Sequence, residues 1–496
     1  MNSIFAKLGS YFKSRKLKLT SDVICAVVIG IIIAVNVIVY ALTVSGNLFL
    51  YSHETVDLTL SGATDRLFAK HIEKNKKVTI TFCQSEENVD NYVLKTAREL
   101  KDRYPDFIEL KFVNVKIDDL SRYQEINEET GEAEPIFKTS VIFECENNFK
   151  VLTDLSVEGY SSFYTVDSSG SALAYHGEEI MASMIGWVLK EEHLTAYFTT
   201  HHGEVADVGL ANMLMAAGYN IDIIDLRKNE VPENAGMVVI SNPVKDFERA
   251  MEGSSVRSEI ERLRTYMERG GQIFVALDPY IEKLTVLESF IAEYGIEISS
   301  YDNGEKILRN IVRDSVNAIT ADSFTLVADY ADTNTAKNVS ALVNQHTDSG
   351  IIVRECAQIL VSGDAEEVLV SSSSSSTYAG SVKTDSKGGY CVGAVGYKQN
   401  EETGRGKIFV TSGIYLTATD ALVSEVYANR TFIYALLDEV FETDGIAYGC
   451  KTVSFTTETL ENLTMGMARV YTVFIALIPV AIAALGAVIV IKRKNR

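Results

Sequence analysis

Residues 194–226 read LTAYFTTHHGEVADVGLANMLMAAGYNIDIIDL, and this stretch decides the fold. Leu194–Thr199 is a short apolar run rich in aromatic and threonine side chains, which predicts a strand. Leu210, Met213, Leu214 and Ala217 then recur on one helical face, and Gly218 closes that helix. Ile221–Leu226 predicts the next strand and Met237–Ile240 another. A second helix is expected to start near Ser254-Ser255, with Val256, Ile260, Leu263 and Met267 turned to the core. Gly270-Gly271 ends it, and Gln272–Leu277 predicts a buried strand. Strands alternating with helices imply a mostly parallel sheet covered on both faces. The link Arg227–Gly236 is only ten residues long, the lower limit for a parallel crossover.

Upstream, residues 57–155 predict a smaller α/β unit. Val78–Phe82 is a strand, and Val93, Ala97, Leu100 and Tyr104 mark a helix that Pro105 stops. Ile108–Phe112 follows as a strand. Ser140–Glu144 and Phe149–Leu152 make a hairpin about Asn147-Asn148. Strand–helix–strand followed by a hairpin is the order of a thioredoxin-type fold. A thiol–disulfide enzyme needs a second, resolving sulfur, and the first strand runs only into Cys83-Gln84-Ser85-Glu86. Redox chemistry is therefore not expected. Downstream, strands are expected near Ile351–Arg354, Glu367–Val370, Tyr390–Tyr397 and Lys407–Thr411. A helix over Glu425–Phe441 carries Phe432, Leu436 and Val440. The six serines Ser371–Ser376 predict a solvated loop.

The ends set the location. Val23–Leu42 and Val470–Ile491 are free of charge and long enough to cross a hydrocarbon core of about 30 Å as helices. Lys7, Lys13, Arg15, Lys16 and Lys18 precede the first run; Lys492, Arg493, Lys494 and Arg496 follow the second. Positive charge stays cytoplasmic, so both termini are expected inside and the intervening body outside the cell membrane. The expected layout is a basic segment 1–22, a span 23–44, a thioredoxin-like unit 45–165 and a larger α/β domain 166–450. A juxtamembrane segment 451–469, a span 470–491 and a tail 492–496 complete it. The chain has 496 residues and a net charge of −21. Nine of its 46 basic residues and one of its 67 acidic residues lie in the flanks, which leaves the outer body at −29. Electrostatic binding of nucleic acid needs the opposite sign, so that class is excluded. Cys83, Cys145, Cys356, Cys391 and Cys450 fall in the outer body with wide spacings and no C-x-x-C. Neither a zinc knuckle nor a redox pair is expected. Buried free thiols fit this pattern best, with one long-range disulfide as the alternative.

In open parallel sheets ligands sit beyond the carboxyl ends of the strands. His201, His202, Gly203 and Glu204 follow the first strand of the larger domain, and Asp278 and Pro279 follow the last. Such a set has the donors to hold a metal or run acid–base chemistry. The same residues also suit local duties. Gly203 fits a tight turn, Glu204 favours the next helix start, and Asp278 caps a helix with Pro279 at its first position. Successive side chains diverge, so adjacent histidines are rarely both ligands. Gly404-Arg405-Gly406-Lys407 lacks phosphate-loop spacing and reads as a hairpin turn. No nucleophile elbow is present. His176 before Gly177-Glu178 reads as an ordinary helix start.

The order of several motifs resembles the GldG-type family of bacterial ABC transport auxiliary proteins. Asp57-Leu58-Thr59 and Leu60-Ser61 stand beyond the first span, and His176-Gly177-Glu178-Glu179 precedes a helix. Tyr197-Phe198-Thr199-Thr200-His201-His202-Gly203-Glu204 is similar to the family's strand ending in Gly-His-Gly-Glu, with His201 where the family has Gly. Val238-Val239-Ile240-Ser241-Asn242-Pro243, Gly270-Gly271 through Asp278-Pro279, and Tyr294-Gly295-Ile296 follow in order. The similarity runs over about residues 50–445. It implies a non-enzymatic, membrane-anchored accessory subunit whose larger domain is similar to glutamine-amidotransferase-like folds. A separate ABC ATPase and an ABC permease subunit are the implied partners, as in export or gliding-motility systems. It implies no catalytic residue, no metal and no cofactor. Two other functions fit the same residues. One is a membrane-anchored hydrolase or metal enzyme using His202, Glu204 and Asp278. The other is a stand-alone surface protein binding a small molecule, a glycan or another envelope ligand.

Overall fold

The computed structural model describes residues 58–455, except 73–75, 125–132, 154–162, 167–171, 191–192, 206–207, 250–256, 320–322, 401–403, 425 and 444–448. Both expected spans lie outside the described residues. Among the described residues no helix is long and apolar enough to cross a membrane.

The smaller sheet follows the expected order. Helix α1 (Gly62–Ile72) leads into β1 (Val78–Phe82), α2 (Asn91–Arg103), β2 (Ile108–Phe112), β3 (Val141–Cys145) and β4 (Asn148–Leu152). The strands lie in the order β2-β1-β3-β4; β1 and β2 run parallel, and the other pairs are antiparallel. Asp90 starts α2 by accepting the amides of Tyr92 and Val93 at 3.0 and 3.1 Å, the side-chain cap that a helix needs for its orphan donors. A short hairpin, β5 (Tyr164–Val166) and β6 (Ala172–Tyr175), then delivers α3 (Gly177–Val188). Met181, Met184 and Ile185 of α3 are buried with Ile80, Phe82, Leu100 and Phe143. This apolar core therefore runs from Leu60 to Leu189, past residue 165.

The larger sheet begins with β7 (Thr195–Thr199), α4 (Val208–Ala216), β8 (Asn220–Ile224), β9 (Ala235–Ser241), α5 (Glu259–Glu268) and β10 (Gln272–Ala276). Next come α6 (Thr285–Ala292), β11 (Ile296–Ile298), β12 (Ser300–Asp302), β13 (Ile307–Arg313), β14 (Thr325–Tyr330), α7 (Asn334–Val343), β15 (Ile351–Arg354) and β16 (Ile359–Val361). The chain continues through β17 (Glu366–Val370), β18 (Ser376–Ala379), β19 (Val382–Asp385), β20 (Cys391–Asn400), β21 (Gly404–Thr411), α8 (Thr419–Val423), α9 (Asn429–Glu439) and β22 (Val453–Ser454). The main strand order is β15-β14-β17-β20-β21-β10-β9-β7-β8. Strands β8, β7, β9, β10 and β21 are mutually parallel. From β21 onward the pairing turns antiparallel, so the expected mostly parallel sheet holds for one half of a mixed α/β sheet.

Alternation explains how the parallel strands are covered. Met237, Val239, Phe274 and Ala276 face the core shared with Leu210, Met213 and Leu214 of α4. Val238, Ile240, Ile273 and Val275 face the core shared with Ile260, Leu263 and Met267 of α5. A strand buried on both faces has no polar phase, which is why these runs read as continuous apolar segments.

Three sequence expectations are corrected here. Ser371, Ser372, Ser375 and Ser376 are buried, so Ser371–Ser376 is not a solvated loop. Ser374 donates to both oxygens of the buried Asp314 at 3.0 Å, and Ser372 also donates to it. The residues Gly404–Lys407 belong to β21 and not to a turn, with Arg405 stacked 3.5 Å from the Tyr397 ring centre. The helix expected to start near Ser254-Ser255 instead has its capping box at Ser258 and Glu261.

The outer backbone edge of β15 is covered by the start of α9, where Ala428 donates its amide to Gly350 at 2.9 Å and one side chain closes the rest. Asn429 is fully buried. It accepts the Ile352 amide at 2.8 Å and donates to the Ile352 and Leu416 carbonyls at 2.8 and 3.2 Å. Asn429→Ala strands three buried polar groups, each costing about 1–3 kcal/mol when unpaired. The full chain in detergent is expected to lose about 2–4 kcal/mol in denaturant unfolding; a loss below about 0.5 kcal/mol would show that the edge does not depend on this residue.

Candidate functional site

The order β8-β7-β9-β10-β21 places a topological switch point between β7 and β9, where an open α/β sheet forms its crevice. Each strand is followed within two residues by a non-glycine residue at positive φ, His201 at 83° and Asn242 at 50°. The two histidines diverge as expected. His201 is exposed, its Nε2 3.3 Å from Asp225 beyond β8. Arg227 and Lys228 hold the Asp225 carboxyl far below the usual carboxylate range. His202 turns inward and is buried. Its Nδ1 lies 2.9 Å from Glu204, its Nε2 lies 3.0 and 3.2 Å from the two Glu259 oxygens, and Phe247 stacks on the ring at 4.0 Å.

Burial alone would discharge this ring. The hydrogen bonds and charges of Glu204 and Glu259 outweigh burial and push His202 up to about 9. Burial likewise opposes ionisation of Glu204, but His202 and the backbone amides hold it below the ordinary range. The loops around the ring are laced together. The His202 carbonyl accepts the amides of Val244 and Lys245, both at 2.8 Å, and Val205 donates to Ser241 at 3.2 Å. His202 and Glu204 are thus brought together, but with Glu259 and not with Asp278. Gly203 takes the expected turn at φ 74°. Asp278 accepts the Tyr280 amide at 2.8 Å in a turn, with the buried Pro279 between them. The next helix, α6, starts only at Thr285, and Asp246 caps it through Val286 and Leu287 at 2.8 and 3.1 Å. The expected helix cap by Asp278 is therefore replaced by Asp246, a residue without a local sequence signal. Among the described residues no group of three His, Cys, Asp or Glu side chains is arranged to hold a metal ion.

A second constellation forms at the start of α3. His176 occupies the N-cap position but makes no side-chain cap. A side chain at Gly177 would run into the Tyr175 ring, so only glycine fits there. Glu178 and Glu179 lie in the first helical turn, where negative charge suits the helix dipole. They face different partners. Glu178 accepts the Ser61 amide and hydroxyl, both at 2.7 Å, the Thr64 hydroxyl at 2.6 Å and the Lys451 amide at 2.9 Å. Glu179 takes an ion pair with Arg430 and a hydrogen bond from Tyr434, both on α9. Arg430 also donates to His176 Nδ1 at 2.8 Å and to Thr452 at 3.0 Å. Burial first, and then the Arg430 charge, keep His176 well below its ordinary proton affinity, as an imidazole that accepts from a guanidinium must be. Lys451 Nζ reaches the Thr59 hydroxyl at 2.9 Å. Strand β22 pairs with β6 immediately before His176. The Thr59–Thr64 stretch, the His176–Glu179 turn, α9 and the Lys451–Ser454 stretch form one clasp. A cavity of about 370 Å³ lies against it.

The thiols among the described residues are made unreactive by their environment. Cys83, Cys145, Cys356 and Cys391 are buried and free, and Cys450 is free and partly buried. Burial pushes the Cys83 thiol up to about 11 and raises the others as well. Nucleophilic cysteines are shifted the other way.

The chain is a mixed α/β protein. No protein-family model matches it, and no curated protein does. Among solved structures it is similar to the N-terminal domain of mmIFT52, at 17% identity over 49% of this chain and 96% of that one, with a TM-score of 0.36. A putative ThuA-like protein from Bacteroides uniformis shares 11% identity over 52% and 97%, with a TM-score of 0.31. A glutamine amidotransferase from Thermotoga maritima shares 11% over 52% and 97%, with a TM-score of 0.26.

Proposed function

We propose that the chain is a non-enzymatic, membrane-anchored accessory subunit of an ABC-type transport complex, of the GldG-like kind, with its acidic body outside the cell membrane. The observation that carries this reading is the clasp. The stretch following the first apolar run and the stretch preceding the second meet on Glu178 and Lys451, as a body held by two neighbouring spans requires. Glu179 and Arg430 tie that meeting point to the larger sheet. A shift between the spans would therefore reach α9 through a rigid ionic contact. The β2-β1-β3-β4 order supports a thioredoxin-type unit, and the β8-β7-β9-β10-β21 order supports a glutamine-amidotransferase-like sheet.

The surroundings of His202 favour a structural over a catalytic role. A ring charged at neutral pH, with both nitrogens committed to carboxylates, has no lone pair for a proton or a metal. Burial raises the proton affinity of the five described cysteines.

The test is purification of the tagged full chain from its native membrane in mild detergent. An ATPase and a multi-span permease are expected to co-purify in fixed ratio, identified by mass spectrometry. Recovery of the chain alone from membranes in which such a pair is present would overturn the reading.

A further inference from the structure

The cavity beside the clasp is lined by two cations, Arg430 and Lys451, and one carboxylate, Glu179, in a body of net negative charge. At about 370 Å³ it falls within the size of small-molecule sites, about 300–1,000 Å³. Arg430, Thr431 and Tyr434 of α9 form one wall, and Lys451 with its neighbours on the chain leading out forms another. Arg66 stands close enough to His346, also on the wall, to help burial lower the proton affinity of that imidazole. Against Arg430 and Lys451 the lining holds one carboxylate, Glu179, which is paired with Arg430. Glu178 stands outside the lining with its oxygens occupied by Ser61, Thr64 and Lys451. Guanidinium and ammonium groups have donors only, and the Thr431 hydroxyl adds another. Such a wall matches an oxyanion.

We propose that this recess binds a small phosphate-type oxyanion, free in solution or as the headgroup of an anionic lipid. A ligand there touches the exit segment at Lys451, whose amide and ammonium already join Glu178 and Thr59. Occupancy would therefore tighten the clasp. The inference rests on the membrane-anchored reading in one respect, the lipid source; capture of free phosphate does not need it.

The experiment uses the full chain in phosphatidylcholine nanodiscs and follows its melting temperature. Inorganic phosphate is titrated at constant ionic strength, with chloride as control. A second arm replaces part of the lipid by phosphatidylglycerol. Lys451→Gln removes one cation while leaving the Arg430–Glu179 pair, and Thr431→Trp fills the space from the half-buried face of α9. Stabilisation by phosphate is expected in the parent chain, with about tenfold weaker binding in Lys451→Gln and loss in Thr431→Trp. A response confined to phosphatidylglycerol discs, and lost in Thr431→Trp, supports the headgroup as the source. No response in either arm overturns the proposal, as does a response equal in parent and both variants. Unliganded melting curves of the variants show whether they are folded. Partner proteins are absent throughout, so failure here and failure of co-purification are separate results.

Discussion

Arg430→Ala is expected to lower the stability of the folded chain by about 3–5 kcal/mol, the cost of leaving a buried charge without its partner. Glu179 is 3% exposed and sits on the first turn of α3 with Arg430 and the Tyr434 hydroxyl as its side-chain partners. Removal of the guanidinium also takes a donor from His176 and from Thr452. Glu179→Gln/Arg430→Met removes both charges at similar volume, and it is expected to recover most of the loss, since a buried pair replaced as a unit is often close to neutral. Denaturant unfolding of the parent, Glu179→Gln, Arg430→Met and the double variant gives the coupling, expected at about 3 kcal/mol, the upper end for residues in contact. Amide exchange adds a local readout, with faster exchange expected at residues 59–64 and 449–455 in Arg430→Ala. A cost under about 1 kcal/mol, or unchanged exchange in those two stretches, would show that the clasp is not held by this pair.

How far the sequence reveals this arrangement depends on the range of each interaction. The parallel half of the large sheet was legible because Met237–Ile240 and Gln272–Ala276 are buried on both faces, and because Gly218 and Gly270-Gly271 mark helix ends. The antiparallel half was less so. Its edge depends on Asn429, a polar residue that gains meaning only opposite Ile352. Serine runs are normally solvated, yet four of the six in Ser371–Ser376 are buried, and Asp314, far back in the chain, accepts the hydroxyls of Ser372 and Ser374. His202 and Glu204, two residues apart, stand out together in the sequence as candidates beside Asp278; Glu259, 57 residues beyond His202, does not. The clasp shows the same limit. His176 to Glu179 and Thr59 to Ser61 stood out as motifs, yet nothing local in them says that they meet, or that Arg430 and Lys451 complete them.

His202 is expected to contribute stability that is fully present below about pH 6.5 and is lost as pH rises through about 9. The folded chain holds this proton more tightly than an unfolded histidine near 6.5 does, up to about 9. The linkage therefore favours the folded state wherever the unfolded histidine is charged, and fades once the folded one discharges. Glu204 works from the other side. Its proton affinity is lowered on folding, so its contribution is present above the ordinary carboxylate range and lost in acid. The carboxylate–imidazolium–carboxylate bolt is accordingly strongest from about pH 5 to about pH 6.5. The expected size of the His202 contribution is on the order of 3 kcal/mol at the plateau. Unfolding free energies of the parent and His202→Gln, measured from pH 5.5 to 9.5, isolate it, because groups common to both chains cancel in the difference. That difference is expected to be largest near pH 6 and to shrink steadily above pH 7, leaving only lost packing against Phe247 at the alkaline end. A difference that stays flat over the whole range would mean that the ring is neutral in the folded chain. Its two nitrogens would then be unable to serve both glutamates as donors, and an acid–base role at the end of β7 would regain its footing.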